Sequence, residues 1–174
     1  YRQLAAAGMG LPHAVAIADV TSCPGAESCK LAVTQSRGLG KFLGDHLRDH
    51  REFIAKAPDL QIKISGCPNG CGRHHIAGLG FQGSVRKVAG KAIPQYFVMV
   101  GGGPDGDAVR FGRLAAKIPA RRLTVALERL LDLYVIDRQD GESATSFFRR
   151  VDVVRVKGVL SDLEQMTPTS TTAD

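Results

Sequence analysis

Apolar positions along the chain follow two different periods, and the switches between them mark the elements. Residues 13–21 form a mostly apolar run that reads as a buried strand ending at Cys23. A helix is expected after Cys29, where Leu39, Phe42, Leu43, Leu47 and Ile54 recur near the 3.6-residue period. Gly38, Gly40 and Gly44 weaken that helix and put a kink or break near Gly38. Residues 60–65 alternate as a strand and deliver Cys67. Residues 78–86 and 94–100 read as two more strands, joined through Ala89, Gly90 and Lys91. Beyond Pro119, Leu123, Ala126, Leu127, Leu130, Leu131, Tyr134 and Val135 line one face of an amphipathic helix. A further helix is expected over 144–165.

Strands interleaved with helices point to an α/β domain, a mixed sheet flanked by helices. Neither a repeat nor a linker divides the chain. One domain is therefore expected over 1–160, with 161–174 as a flexible tail, polar and frayed from 167 onward. At 174 residues a substantial core is within reach. A 44% hydrophobic and 23% charged composition excludes a wholly disordered or fibrous chain. No apolar run exceeds five residues, far short of a membrane span. The first residues show no export leader, and the chain starts on Tyr1 rather than Met. It is expected to be the C-terminal piece of something longer, or a processed product.

Charge changes the picture through its distribution. No Asp or Glu occurs from 60 to 104, and residues 60–122 carry +8 against −2 for the rest. A one-sign stretch concentrates anions, so an anionic partner is one reading and a solvated basic face the other.

All four cysteines fall in two motifs, Cys23-Pro-Gly-Ala-Glu-Ser-Cys29 and Cys67-Pro-Asn-Gly-Cys71. The chain is too large and too poor in Cys for a disulfide scaffold. The spacings differ from the two-residue knuckles usual for structural zinc, and iron–sulfur clusters also take four thiolates. Gly25, Gly66, Gly70 and Gly72 crowd these cysteines and let backbone N–H groups approach an anionic centre. Spacing alone leaves a cluster, a zinc ion and unliganded thiols open. Both pairs follow strand C-terminal ends, where open α/β sheets place ligands.

Smaller signals carry less. Gly101, Gly103 and Gly106 fit a dinucleotide fingerprint formally, but no helix follows, so a flexible loop at a strand end is expected. His46 and His50 share a helix face within a strongly charged run and lack a third ligand. His74 and His75 follow the last Cys directly, either as surface or core-edge residues or as contacts to whatever the cysteines bind. Asn69 suits a turn between Cys67 and Cys71, where its amide also faces the bound group.

The two cysteine motifs, continued by Gly80-Phe-Gln-Gly-Ser-Val-Arg-Lys and by Ile118-Pro-Ala-Arg-Arg-Leu, resemble the sirohaem and 4Fe–4S binding half of nitrite and sulfite reductases. The resemblance runs over about residues 11–150, and it implies the following. Cys23, Cys29, Cys67 and Cys71 hold a 4Fe–4S cluster, and Cys71 also ligates the sirohaem iron, bridging the two centres. Arg73, Arg86, Lys87, Lys117, Arg121 and Arg122 are candidates to meet the carboxylates of sirohaem, since buried carboxylates need charged partners, and Asn69 is a candidate contact to the bound cofactor. The activity implied is six-electron reduction of sulfite to sulfide or of nitrite to ammonia. Further catalytic residues on the substrate side belong to the N-terminal half of the same polypeptide, so this fragment alone is expected to be inactive. The other partners implied are a ferredoxin or flavoprotein electron donor and a small anionic substrate, with neither nucleic acid nor membrane. A cytoplasmic setting is expected, because exposed-prone thiolates suit a reducing compartment. The rival reading is a basic, zinc-bound interaction module without redox activity. It accounts for the charge and the cysteines, but not for the long match.

Overall fold

The computed structural model describes residues 1–9 and 16–167. In chain order the elements are helix α1 (Arg2–Ala6), strand β1 (Thr21–Ser22), helices α2 (Ser36–Asp49) and α3 (Arg51–Lys56), and strands β2 (Ile62–Ser65), β3 (Leu79–Val88) and β4 (Lys91–Val100). There follow the short strands β5 (Gly103–Asp105) and β6 (Ala108–Arg110), strand β7 (Arg113–Pro119), and helices α4 (Leu123–Asp137), α5 (Ala144–Arg150) and α6 (Val153–Leu160). Single 3-10 turns cover Gly25–Glu27, His74–Ile76, Ala120–Arg122 and Ser161–Glu164.

Five strands make one sheet in the order β1-β2-β3-β4-β7. The β1–β2 and β2–β3 pairs are parallel, and the β3–β4 and β4–β7 pairs are antiparallel. The expected mixed α/β sheet is therefore present. The strand expected over 13–21 is shorter. Residues 13–15 lie outside the described residues, 16–20 form turns and bends, and pairing begins only at Thr21. The β3–β4 hairpin turns on Ala89 and Gly90, with φ of 48° and 78°. Two consecutive positive φ values match the turn whose twist suits a two-residue hairpin. Strand β7 and the β5–β6 ribbon have no counterpart in the sequence reading. The loop expected around Gly101–Gly106 is largely this ribbon, with Gly103↔Arg110 and Asp105↔Ala108 in register.

Leu39, Leu43 and Leu47 of α2 are buried against β1 and β2, whereas Phe42 is 55% exposed. The helix does not break near Gly38. It runs on to Asp49, and the break falls at His50, whose φ of −115° and ψ of 70° are not helical. The glycines permit close approach instead. A Cβ on Gly40 would stand 3.1 Å from Ser22, and one on Gly44 would stand 3.0 Å from the Ala18 carbonyl oxygen. Helix α4 buries the expected stripe and Leu133, but Val135 is 42% exposed because it lies off the packed faces.

The single helix expected over 144–165 is two helices and a 3-10 turn. The break is at Val151–Asp152, where the Asp152 carboxylate accepts from Val154 N at 2.8 Å and caps α6. Residues 161–165, expected in the tail, are docked on the body. Leu163 is buried, Arg129 donates twice to the Asp162 carboxylate, and Arg122 donates to the carbonyls of Leu163 and Gln165. Residues 168–174 of the expected tail lie outside the described residues. Among the described residues no helix is long and apolar enough to cross a membrane.

Candidate metal centre

Parallel pairing of β1 with β2 brings the two cysteine loops to the same end of the sheet. Thr21↔Lys63 and Ser22↔Ile64 are in register, so Cys23 and Cys67 leave adjacent strand ends. Backbone bonds then join the loops. Cys23 N donates to Ile64 O at 3.1 Å, and Val33 N and Thr34 N both donate to Gly66 O, at 2.9 and 3.2 Å. Their approach requires an absent side chain. A Cβ on Gly66 would stand 2.7 Å from Thr34 O, and one on Gly83 of β3 would stand 2.1 Å from Thr34 Oγ1 and 2.6 Å from Gly66 O. Three segments are thereby stacked with no room for a methyl group.

Cys23 is buried in this junction. Gly66 N donates to its Sγ at 3.2 Å, and Ser36 Oγ lies 3.1 Å from the same sulfur. Burial opposes charge on the thiol, but the bonds from Ser36, Gly66 and Gly25 outweigh it and hold the pKa below the ordinary cysteine value. Cys67 is also buried, Cys29 is half-buried and Cys71 is exposed, and no disulfide joins them. The second loop is closed by Gly72 N donating to Ser65 Oγ at 3.0 Å and Arg73 N donating to Gly70 O at 2.7 Å.

Among the described residues, no three His, Cys, Asp or Glu side chains stand as a group able to hold a metal ion. The thiols are thus gathered by their loops and not drawn together at ligand distance. The donor set still fits a cluster: four free thiols come from two interlocked loops, and the polar groups around Cys23 lower its pKa.

The basic candidates divide by position. Because β3 runs parallel to β2 and outlasts it, Arg86 and Lys87 lie toward the cysteine end of the sheet. Arg121 lines an open cleft of about 940 Å³ beside the first loop, with Thr34, Phe42 and Tyr96. Lys117 Nζ sits 5.1 Å above the Phe97 ring, and Arg122 is engaged by the carbonyls of the 161–165 segment. Arg73, with φ of 56°, lines a smaller pocket of about 280 Å³ with Asp19 and Lys63. Burial, followed by the Arg73 charge, lowers the Lys63 pKa. Asn69 is exposed between Cys67 and Cys71.

His46 reaches Glu128 at 2.8 Å across α2 and α4. His74 and His75 pack beside the second loop, with His74 fully buried. Sequence reasoning missed Ser36, Thr34 and Tyr96. The Tyr96 phenol, buried beside Thr34, has its pKa pushed up to about 12, by burial first. No local pattern links residues so far apart in the chain. Gly83 did leave a trace, since an isolated glycine in a strand marks close backbone approach.

The model of the nitrite and sulphite reductase 4Fe-4S domain family matches residues 14–159. The chain is 29% identical over 139 residues to sulfite reductase (ferredoxin) 1 of Mycolicibacterium paratuberculosis, covering 77% of this chain and 25% of that protein. It is 30% identical over 138 residues to the sulfite reductase (NADPH) hemoprotein beta-component of Methylobacterium nodulans, covering 76% and 21%. Among solved structures it resembles the Mycobacterium tuberculosis NirA protein, with a TM-score of 0.70, 28% identity and coverage of 79% and 26%. Dissimilatory sulfite reductase I has the same fold, with a TM-score of 0.60 at 13% identity, covering 86% and 53%. The chain spans about a quarter of the length of the curated relatives it matches.

Proposed function

This chain belongs to the nitrite and sulphite reductase 4Fe-4S domain family, and from that membership we propose that it is the cofactor-binding half of a sirohaem-dependent reductase. Cys23, Cys29, Cys67 and Cys71 hold the cluster, and Cys71 also ligates the sirohaem iron. The substrate is a small oxyanion. Sulfite is favoured over nitrite because the curated relatives named above are sulfite reductases. The observation that carries the reading is the interlock of the two cysteine loops, with Gly66 N bonded to Cys23 Sγ.

When bound, the cluster and haem would supply the electrons for reduction of the substrate. The chain's own residues prepare that site. Ser36, Gly66 and Gly25 stabilise negative charge at Cys23. The exposed Cys71 leaves its sulfur accessible to a second centre. Arg73, Arg86, Lys87, Lys117 and Arg121 supply positive charge for carboxylates, with Asn69 as a polar contact. Arg122 adds positive charge next to Arg121 while holding the 161–165 segment. The N-terminal half of the same polypeptide supplies the substrate face, and a ferredoxin or flavoprotein supplies electrons. Four free thiols suit the cytoplasm, and fractionation of the native protein into an oxidising compartment would contradict that setting.

The test is metal content of the anaerobically purified full polypeptide. Iron and acid-labile sulfide are expected, and both are expected to fall in Cys23→Ser and Cys67→Ser. Cys71→Ser is expected to shift the sirohaem absorption bands even in molecules that keep a cluster, because a soft thiolate is lost from that iron. One zinc and no sulfide would replace this reading with the interaction module.

A further inference from the structure

The histidine pair beside the second cysteine loop is seated too closely to be incidental. Gly70, between Cys67 and Cys71, has φ of 72°, and a Cβ there would stand 2.4 Å from His75 Cε1 and 2.8 Å from His75 Nε2. The imidazole edge therefore rests directly on the Gly70 backbone. Its other side meets Phe111, with ring centroids 5.6 Å apart at 67°. The His75 carbonyl accepts from Gly112 N at 2.7 Å, which pins the backbone beneath the ring.

The orientation of that ring is set from below. His75 Nδ1 lies 3.1 Å from His74 Nε2, which lies 3.1 Å from Gln82 Oε1 on β3. An amide oxygen only accepts, so the His74 proton sits on Nε2 and is shared between Gln82 and His75. His74 Nδ1 is buried with no partner. A second proton there would bury an unpaired N–H, which keeps His74 neutral. Burial first, and the neighbouring His75 second, lower its pKa accordingly. Gln82, His74 and His75 thus form a column from the sheet to the underside of Gly70.

We propose that His75 is a positioning residue for the Cys67–Cys71 turn, its ring bracing Gly70 and its orientation held by His74 and Gln82. The proposal rests on the reading of Cys67 and Cys71 as ligands. A turn braced in this way presents both sulfurs in one arrangement; without the brace, Gly70 gains freedom and the two ligands lose their common geometry.

The experiment uses the full polypeptide with its cofactors in place. His75→Asn keeps an acceptor where Nδ1 stands but lacks the ring atoms that touch Gly70. It is expected to release iron to a chelator about tenfold faster or more, the range for loss of a group that orients a ligand. The spin-resonance signal of the reduced cluster is expected to shift as well. His75→Phe restores a ring over Gly70 but not the Nδ1 contact to His74, and it is expected to recover part of the parent's slower release. Gly70→Ala disturbs the same contact from the loop side and is expected to shift the cluster signal and speed iron release relative to the parent, which tests the contact even if His75→Asn does not fold. Leu130→Ala, a buried change on α4, controls for general loss of stability. Equal acceleration by Leu130→Ala overturns the proposal, and so does an iron-loaded parent whose His75→Asn variant matches it in rate and signal. A parent without iron and sulfide overturns the ligand reading, and this proposal falls with it.

Discussion

At the scale of single residues, burial decides chemistry that residue type leaves open. The sequence shows two adjacent histidines, and nothing local separates a surface pair from a buried one. In the fold His74 is wholly enclosed, bonded through Nε2 and unpartnered at Nδ1. Its pKa is lowered from 6.5, chiefly by burial. A histidine lowered on folding binds its proton more readily in the unfolded chain. Its contribution is therefore whole above pH 6.5 and is lost as pH falls through the folded value. Urea unfolding followed from pH 7.5 down to pH 5 is expected to show falling stability, and His74→Gln is expected to flatten that fall. The cysteines were legible as candidates because their spacing and glycines are local. The Ser36 bond to Cys23 was not, since it depends on α2 folding back over the first loop.

At the scale of elements, hydrophobic period located most helices and strands, and caps set their limits. The hydrophobic pattern over 144–165 shows one helix, but the chain breaks after Arg150 and the Asp152 carboxylate caps the start of a second helix. Asp152→Ala is expected to cost about 1 kcal/mol, the usual loss for an N-cap. Urea denaturation checks this, with Val154→Ala, 68% exposed, as the near-neutral control. The start of α5 is also held by Asp59, which accepts from Ala144 N at 3.2 Å and Thr145 N at 2.9 Å across 85 and 86 residues of sequence. Such a partner is invisible to any window of sequence. Glycines misled in the other direction. Gly38, Gly40 and Gly44 suggested a weak helix, yet Gly40 and Gly44 give α2 the clearance to lie against residues 18–22.

On the scale of the whole molecule, residues 161–165 pack on the body that precedes them. The 161–165 segment covers β7, buries Leu163, and is tied by Arg122 and Arg129. Removing everything after Leu160 is expected to destabilise the domain by about 2 kcal/mol, the scale of one buried leucine side chain. Thermal and urea unfolding of the truncated chain measures this, and unchanged stability would return these residues to the tail. The same closure explains why Arg122 differs from its neighbour Arg121. One is engaged by backbone carbonyls, while the other lines an open cleft.

What the sequence determined by itself was local. The alternating and helical periods, the two cysteine motifs with their glycines, and the acid-free stretch each lie within a few residues of one another or simply add along the chain. They sufficed for an α/β domain with a mixed sheet and for the family it resembles. Tertiary structure alone decided what depends on pairing between distant segments. Parallel pairing of β1 with β2 put Cys23 beside Gly66, and Gly83 on β3 left the space in which Thr34 and Gly66 meet. Strand β7 and the β5–β6 ribbon gained their identity from partners rather than from their own pattern, because short strands are stabilised by the neighbours they pair with. The column of Gln82, His74 and His75 under Gly70 arose in the same way, from a sheet residue and a turn that only the folded chain brings into contact.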